Sequence, residues 1–211
     1  MSVLKTEPLY TVAEYLTLER ESEERHEYLD GHIYAMSGES TQHGDISVNL
    51  VGELRALLKG TACRVWTKDT KVLCGSVLKS DRIRKGLFAY PNIVVVCGAP
   101  QFLDKHRDVV LNPKVIIEVL SPTTEAYNRG EKFWRYRRHL TTLTDYVLVS
   151  QVSPLVEHFR RQPNEEWVLS TAAGLDASLH IDSIECTLSL SEVYDRVVFP
   201  QEETPDPLRT E

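Results

Sequence analysis

Glu118 stands where its charge needs an explanation. It falls inside Val115-Ile116-Ile117-Glu118-Val119-Leu120, one of the most apolar runs of the sequence. An ionised carboxylate among such neighbours is costly unless it is paired or holds a cation. Two readings fit: a strand-end glutamate bridged to an arginine, or a carboxylate that binds a metal ion at a functional centre. Buried strand glutamates are rare, which favours the second. Further along, Arg129, Lys132, Arg135, Arg137 and Arg138 make the densest basic stretch. Arg129, Lys132 and Arg135 are spaced to share a helix face. That face suits phosphate contact or plain solvation. Lys79, Arg82, Arg84 and Lys85 occupy a Gly-containing stretch that would serve either a nucleic-acid backbone or solvent.

Secondary-structure elements have to position these groups. Thr11-Val12-Ala13-Glu14 has the form of a capping box and predicts a helix from Val12 to about Arg20. His26 to Met36, folded about Asp30-Gly31, predicts a hairpin. Ile46, Leu50, Leu54 and Leu57 predict an amphipathic helix with one apolar stripe, and His43 opens it, facing a site or satisfied structurally. Val65–Trp66 and Lys71–Cys74 are short strand candidates. Ile93–Cys97, Val115–Leu120 and Tyr146–Val149 are β-branched and nearly continuous in apolar character, as strands covered on both faces require. A helix is expected from about Glu125 to Leu140. A hairpin follows around Gln162-Pro163-Asn164, and a last short helix spans Leu190 to Val197. Together these predict an α/β (α+β) fold with a mixed central sheet flanked by helices, preceded by a helix and hairpin. One domain over residues 10–198 is expected, with an arm over 1–9 and a Pro-rich acidic tail over 199–211.

Composition narrows the classes. The 211 residues carry a formal charge of −7, which argues against wholesale coating of nucleic acid but allows local patches. No run approaches the roughly 18 apolar residues of a membrane span, and Met1–Glu7 has no apolar core like that of a secretory signal. Cys63, Cys74, Cys97 and Cys186 show neither a CxxC pair nor zinc spacing. Reduced thiols in a cytoplasm are therefore expected, with Cys97 a small buried residue.

Five pieces occur in order: His26-Glu27-Tyr28-Leu29-Asp30-Gly31; His43 opening the leucine-striped helix; Tyr90-Pro91-Asn92 before a valine-rich strand; Ile117-Glu118-Val119-Leu120-Ser121-Pro122; and Asn128-Arg129-Gly130-Glu131-Lys132-Phe133, closed by Asp145-Tyr146-Val147-Leu148-Val149. As an ordered set they resemble the putative restriction endonuclease family expanded in cyanobacteria, a branch of the PD-(D/E)XK nuclease superfamily. The resemblance spans roughly Tyr10 to Val198. It implies a restriction-endonuclease-like sheet whose central strands deliver acids to Mg²⁺ or Mn²⁺ for hydrolysis of DNA phosphodiesters. By that resemblance Glu118 is the strand acid, Glu27 the N-terminal acid, Asn92 stands at the Pro-Asp position, the Val119 backbone carbonyl is a further ligand, and Lys132 replaces the lysine absent at Leu120. Read from the residues themselves, Arg129, Arg135 and His43 are the candidate nucleic-acid contacts.

Two departures qualify the expectation. Asn92 and Asn128 are neutral where family members carry or often carry Asp. A Mg²⁺-dependent DNA endonuclease, possessing Glu27, Glu118 and Lys132, is the favoured reading. A nuclease-fold protein that binds nucleic acid or protein without strong metal chemistry is the alternative, favoured by Asn92, Asn128 and the acidic balance. A carboxylate-pair sugar hydrolase would need an aromatic sugar platform that nothing here marks. Trp134 and Tyr136 are expected in the core or an interface, and a homodimer is expected from apolar surface around Trp134, Tyr136 and the Val156–Trp167 hairpin.

Overall fold

Continuous β-branched runs need apolar cover on both faces, and the fold supplies it. The computed structural model describes residues 9–36, 38–75 and 84–200. Lys79 and Arg82, most of the expected arm and nearly all of the expected tail lie outside the described residues. The strands are β1 (His26–Leu29), β2 (His32–Ala35), β3 (Cys63–Thr67), β4 (Lys71–Cys74), β5 (Leu87–Ala89), β6 (Ile93–Cys97), β7 (Val109–Val110), β8 (Val115–Leu120), β9 (Asp145–Ser150), β10 (Leu155–Arg161), β11 (Trp167–Ala173), β12 (Ser178–Ile181) and β13 (Cys186–Ser189). The helices are α1 (Val12–Glu21), α2 (Thr41–Leu57), α3 (Glu125–Tyr127), α4 (Phe133–His139) and α5 (Leu190–Val193). A π-turn, Asn128–Lys132, joins α3 to α4, and a 3₁₀ turn spans Asp182–Ile184.

The central sheet has six strands in the order β11-β10-β9-β8-β6-β3. It is mixed: β8 runs parallel to β9 and antiparallel to β6. Side chains alternate across it. Ile93, Val95, Val115, Ile117, Val119, Val147 and Val149 face one layer, made by Ile46, Leu50 and Leu54 of α2 with α5 and the β12–β13 ribbon. Val94, Val96, Ile116, Leu120, Tyr146 and Leu148 face the other, where Phe133 and Tyr136 of α4 meet Val72, Cys74, Leu87 and Ala89. Those last residues belong to a second, five-stranded sheet, β2-β1-β5-β4-β7. The expected mixed sheet flanked by helices is therefore present, with helices on both faces.

Several expectations need correction. The apolar stripe of α2 ends on Leu58, which is buried, whereas Leu57 is exposed because the helix terminates there. The helix expected over 125–140 is interrupted by the π-turn, which takes in Gly130, a weak helix former. The last helix stops at Val193. Tyr136 is wholly buried against Tyr146 and offers no surface, while Trp134 is exposed. The four cysteines are not all reduced. Cys63 and Cys97 stand opposite each other on antiparallel β3 and β6, with Cα atoms 3.9 Å apart, and are joined in a disulfide. Cys97 is accordingly a half-buried bridge, and only Cys74 and Cys186 are free, both buried. Among the described residues no helix is long and apolar enough to cross a membrane.

Candidate metal centre

The alternation along β8 decides where Glu118 points. Residues 116, 118 and 120 share the face turned towards α4 and the five-stranded sheet. The Glu118 carboxylate therefore enters a layer of Tyr146, Tyr136 and Leu120 and is almost completely buried. Pairing Ile93 with Ile117 brings Asn92, just before β6, beside it. The Asn92 backbone N–H donates to Glu118 Oε2 at 3.4 Å, and Asn92 Oδ1 accepts from the Val119 N–H at 2.9 Å.

Two further elements close over this strand end. The β1–β2 hairpin turns tightly through Asp30 and Gly31, at φ of 48° and 102°, a backbone that suits Gly and Asp. Its first strand presents Glu27, whose Oε1 accepts the Tyr90 N–H at 3.1 Å. The π-turn presents Lys132, buried, with Nζ 3.0 Å from Glu27 Oε1 and 3.0 Å from Glu118 Oε1. Lys132 thus holds both carboxylates at once, by charge and by side-chain hydrogen bonds to Glu27 and to Glu118 Oε1. The Lys132 ammonium also lies 5.8 Å from the Tyr127 ring centre.

One ammonium between two carboxylates leaves the cluster short of positive charge. Burial pushes the Glu118 carboxyl up; Lys132 works against the shift and Glu27 adds to it, and the net direction is upward. Burial alone would depress Lys132, but Glu118 and Glu27 outweigh it and hold the ammonium above its ordinary value. A cluster with spare carboxylate charge and hard oxygen donors is the chemistry that a small divalent cation answers.

His43 completes the group. It sits in the first turn of α2, where Ser40 caps its N–H. Its Nε2 lies 3.2 Å from the Val119 carbonyl and 3.3 Å from Asn92 Nδ2, while Nδ1 faces Glu39 at 3.6 Å. Burial depresses its pKa, which favours the neutral ring.

Glu27, His43, Asn92, Glu118, Val119, Asn128 and Lys132 line one cleft of about 630 Å³. Residues separated by more than a hundred positions thus converge on the carboxyl end of β8. Arg129 and Arg135 are placed elsewhere. Arg129 is held by Glu125 at 2.7 Å and by Glu157, and Arg135 by Glu131 and Asp30, both at 2.6 Å. Neither lines the cleft. Among the described residues no three His, Cys, Asp or Glu side chains form a metal-binding group by themselves. Asn92 stands where a further acid would add to Glu27 and Glu118.

Sequence reasoning missed four contributors. Tyr90 and Tyr127 line the cleft, and Glu39 flanks His43 while pairing with Lys68 at 3.1 Å. Glu19, buried on α1, accepts the Tyr90 hydroxyl at 2.6 Å and the His26 N–H at 3.0 Å, fixing β1 against the site. An inward glutamate on the apolar face of α1 was the available signal for Glu19.

Comparison with known proteins agrees with this architecture. A Synechocystis protein described as uncharacterised, slr1290, is 32% identical over 192 residues, covering 91% of this chain and 95% of its own. A second uncharacterised Synechocystis protein, sll1609, is 28% identical over 179 residues, covering 85% and 96%. The crystal structure of a "putative nuclease belonging to DUF820" from Anabaena variabilis superposes with a TM-score of 0.69 over 89% of this chain and 99% of that one, at 18% identity, and so shares the fold. The sequence profile of the Uma2 family, described as "Putative restriction endonuclease", matches residues 12–191, and the chain belongs to that family.

Proposed function

We propose that the protein is a divalent-metal-dependent endonuclease that hydrolyses DNA phosphodiester bonds, with a centre weakened by Asn92 and Asn128. The observation that carries this reading is Lys132, set 3.0 Å from both the Glu27 and the Glu118 carboxylate at the end of a buried strand. Glu118, buried and sharing the Lys132 ammonium with Glu27, has carboxylate charge to spare for a cation. Glu118, Glu27, Asn92 Oδ1 and the Val119 carbonyl are the residues that would hold Mg²⁺ or Mn²⁺, all hard oxygens. When bound, the ion would supply a water of lowered pKa and neutralise phosphate charge. Lys132 would orient that water and balance the glutamates. Asn92 would position β6 against Val119 and offer a neutral oxygen. His43, neutral, would stand beside the scissile group, and Arg129 and Arg135 would reach DNA only by exchanging their carboxylate partners.

A homodimer and a cytoplasmic location belong to this reading as proposals. Trp134, Val168 and Leu169 are the exposed apolar residues that a second copy would cover. The second reading, a nuclease-fold binding protein, draws on a specific observation. Asn92 Oδ1 already accepts the Val119 N–H, and the Val119 carbonyl already faces His43. A supercoiled plasmid incubated with protein and Mg²⁺ or Mn²⁺ tests the choice. Nicking that disappears in Glu118→Ala, by at least a hundredfold with the fold intact, is the expected result. Nicking unaffected by Glu118→Ala, or none at any metal concentration, would leave the binding-protein reading in its place.

A further inference from the structure

We infer that Asn128 is a positioning residue of the cleft, its side-chain oxygen accepting a hydrogen bond from a water in the hydration shell of the cation held at Glu118. The inference rests on the metal-centre reading above and adds to it a residue acting through water.

Asn128 is 3% exposed, yet its Oδ1 accepts no hydrogen bond from the protein. Leaving a buried acceptor unpaired is costly, so a retained one calls for a partner that the protein does not itself supply. The main chain of Asn128 is fully committed. Its N–H donates to the Thr124 carbonyl at 2.9 Å, and its own carbonyl accepts the Tyr146 hydroxyl at 3.0 Å. The backbone is thus pinned from both sides while the side-chain oxygen is left for a ligand. Asn128 opens the π-turn that Lys132 closes, and both line the cleft. Arg129 and Glu131, between them, are drawn outward to Glu157 and Arg135.

The polarity of the unpaired groups names the ligand. Among the cleft's described residues, Asn128 Oδ1 is a buried acceptor without a partner, Glu118 shares the one Lys132 ammonium with Glu27, and His43 Nδ1 already faces Glu39. A phosphate alone would bring more acceptors. A hydrated divalent cation answers both: positive charge for the carboxylate, and water hydrogens for a neutral amide oxygen. Mg²⁺ in particular dehydrates reluctantly and keeps several waters, and groups that hold such waters tune affinity from outside the ligand set.

Calorimetric Mn²⁺ titration of the full-length protein tests this, with wild type, Asn128→Ala, Asn128→Asp and Glu118→Ala compared and each metal-free melting temperature measured alongside. Asn128→Ala should weaken Mn²⁺ three- to tenfold without lowering the metal-free melting temperature, since it removes an unpaired acceptor. Asn128→Asp should tighten Mn²⁺ at least threefold. A purely structural asparagine would do the reverse: Asn128→Ala would melt several degrees lower and bind Mn²⁺ like the wild type, which overturns the inference. Should the alanine variant not fold, Asn128→Asp decides, and unchanged affinity there overturns it too. Wild-type Mn²⁺ binding that depends on Glu118 but ignores both Asn128 variants sinks this inference alone. Absence of any Glu118-dependent binding sinks the metal-centre reading with it.

Discussion

Two acids are buried on adjacent parallel strands, Glu118 on β8 and Asp145 on β9, and the molecule treats them in opposite ways. Asp145 begins its strand beside Val115, at the far end of the pair from Glu118. Its Oδ1 pairs with His158 Nε2 at 2.7 Å, and its Oδ2 accepts the hydroxyls of Thr144 and Ser183. Burial works to raise the Asp145 carboxyl, but these bonds outweigh it and hold the group below the ordinary carboxylate range. Glu118 shares its one ammonium with Glu27, opens on a cleft and is shifted upward. Burial therefore does not by itself mark a functional acid. An acid with its own partners on every oxygen ties strands together; an acid that shares one ammonium with a second carboxylate beside a cleft has charge left over.

The largest expected effect separates the two. Asp145→Ala strips a buried cluster of its acceptor and should destabilise the protein by about 3–5 kcal/mol in urea unfolding. Glu118→Gln should change metal-free stability by no more than about 1 kcal/mol, because Lys132 keeps Glu27 as its charge partner and one of two buried carboxylate charges is removed. Equal losses would erase the distinction between the sites.

Acid titration of stability sharpens it. Asp145 has a folded pKa below its unfolded value of roughly 3.9, so it binds fewer protons folded than unfolded. Its contribution is present above that value and is lost as pH falls through the folded pKa. Glu118 is the reverse case without metal: raised in the fold, it makes the protein gain stability as pH falls through its folded pKa, until the unfolded value near 4.3 is reached. Asp145→Asn should flatten the acid loss, and Glu118→Gln should remove the gain. If Glu118→Gln instead abolished an acid loss, Glu118 would be a second structural acid.

The smallest effect is expected at Arg129. It is partly exposed and bridged to Glu125 and Glu157. Arg129→Ala should cost at most about 1 kcal/mol, screened further by salt. A loss comparable to that of Asp145→Ala would place Arg129 in the buried architecture as well.

Much of the positioning frame was legible in sequence because it rests on strong periodicity. Ile93–Cys97, Val115–Leu120 and Tyr146–Val149 are continuous apolar runs, and Thr11 with Glu14 spells out a capping box that the structure forms. Glu118 stood out as a charge in an apolar run. The short strands β5, β7, β12 and β13 did not, since two to four residues hold too little pattern to distinguish from loop. The Cys63–Cys97 bridge joins residues 34 apart and has no spacing signature; only the β3–β6 register brings them together. The Asp145 cluster escaped for the same reason, because Ser183 and His158 meet it through tertiary packing. The π-turn is a local rearrangement of a sequence that reads as ordinary helix, and it is the device that delivers Asn128 and Lys132 to the same cleft.

The central claim is that the carboxyl end of β8 is a cation site lacking one anion at position 92. Calorimetric Mg²⁺ titration of Asn92→Asp against the wild type, with plasmid nicking followed in the same samples, tests it most directly. The new carboxylate would keep an oxygen for the Val119 N–H and bring a second beside Glu118. Mg²⁺ affinity should rise at least tenfold and nicking should rise with it. Unchanged affinity and unchanged nicking in a protein whose Glu118 does bind metal would contradict the account.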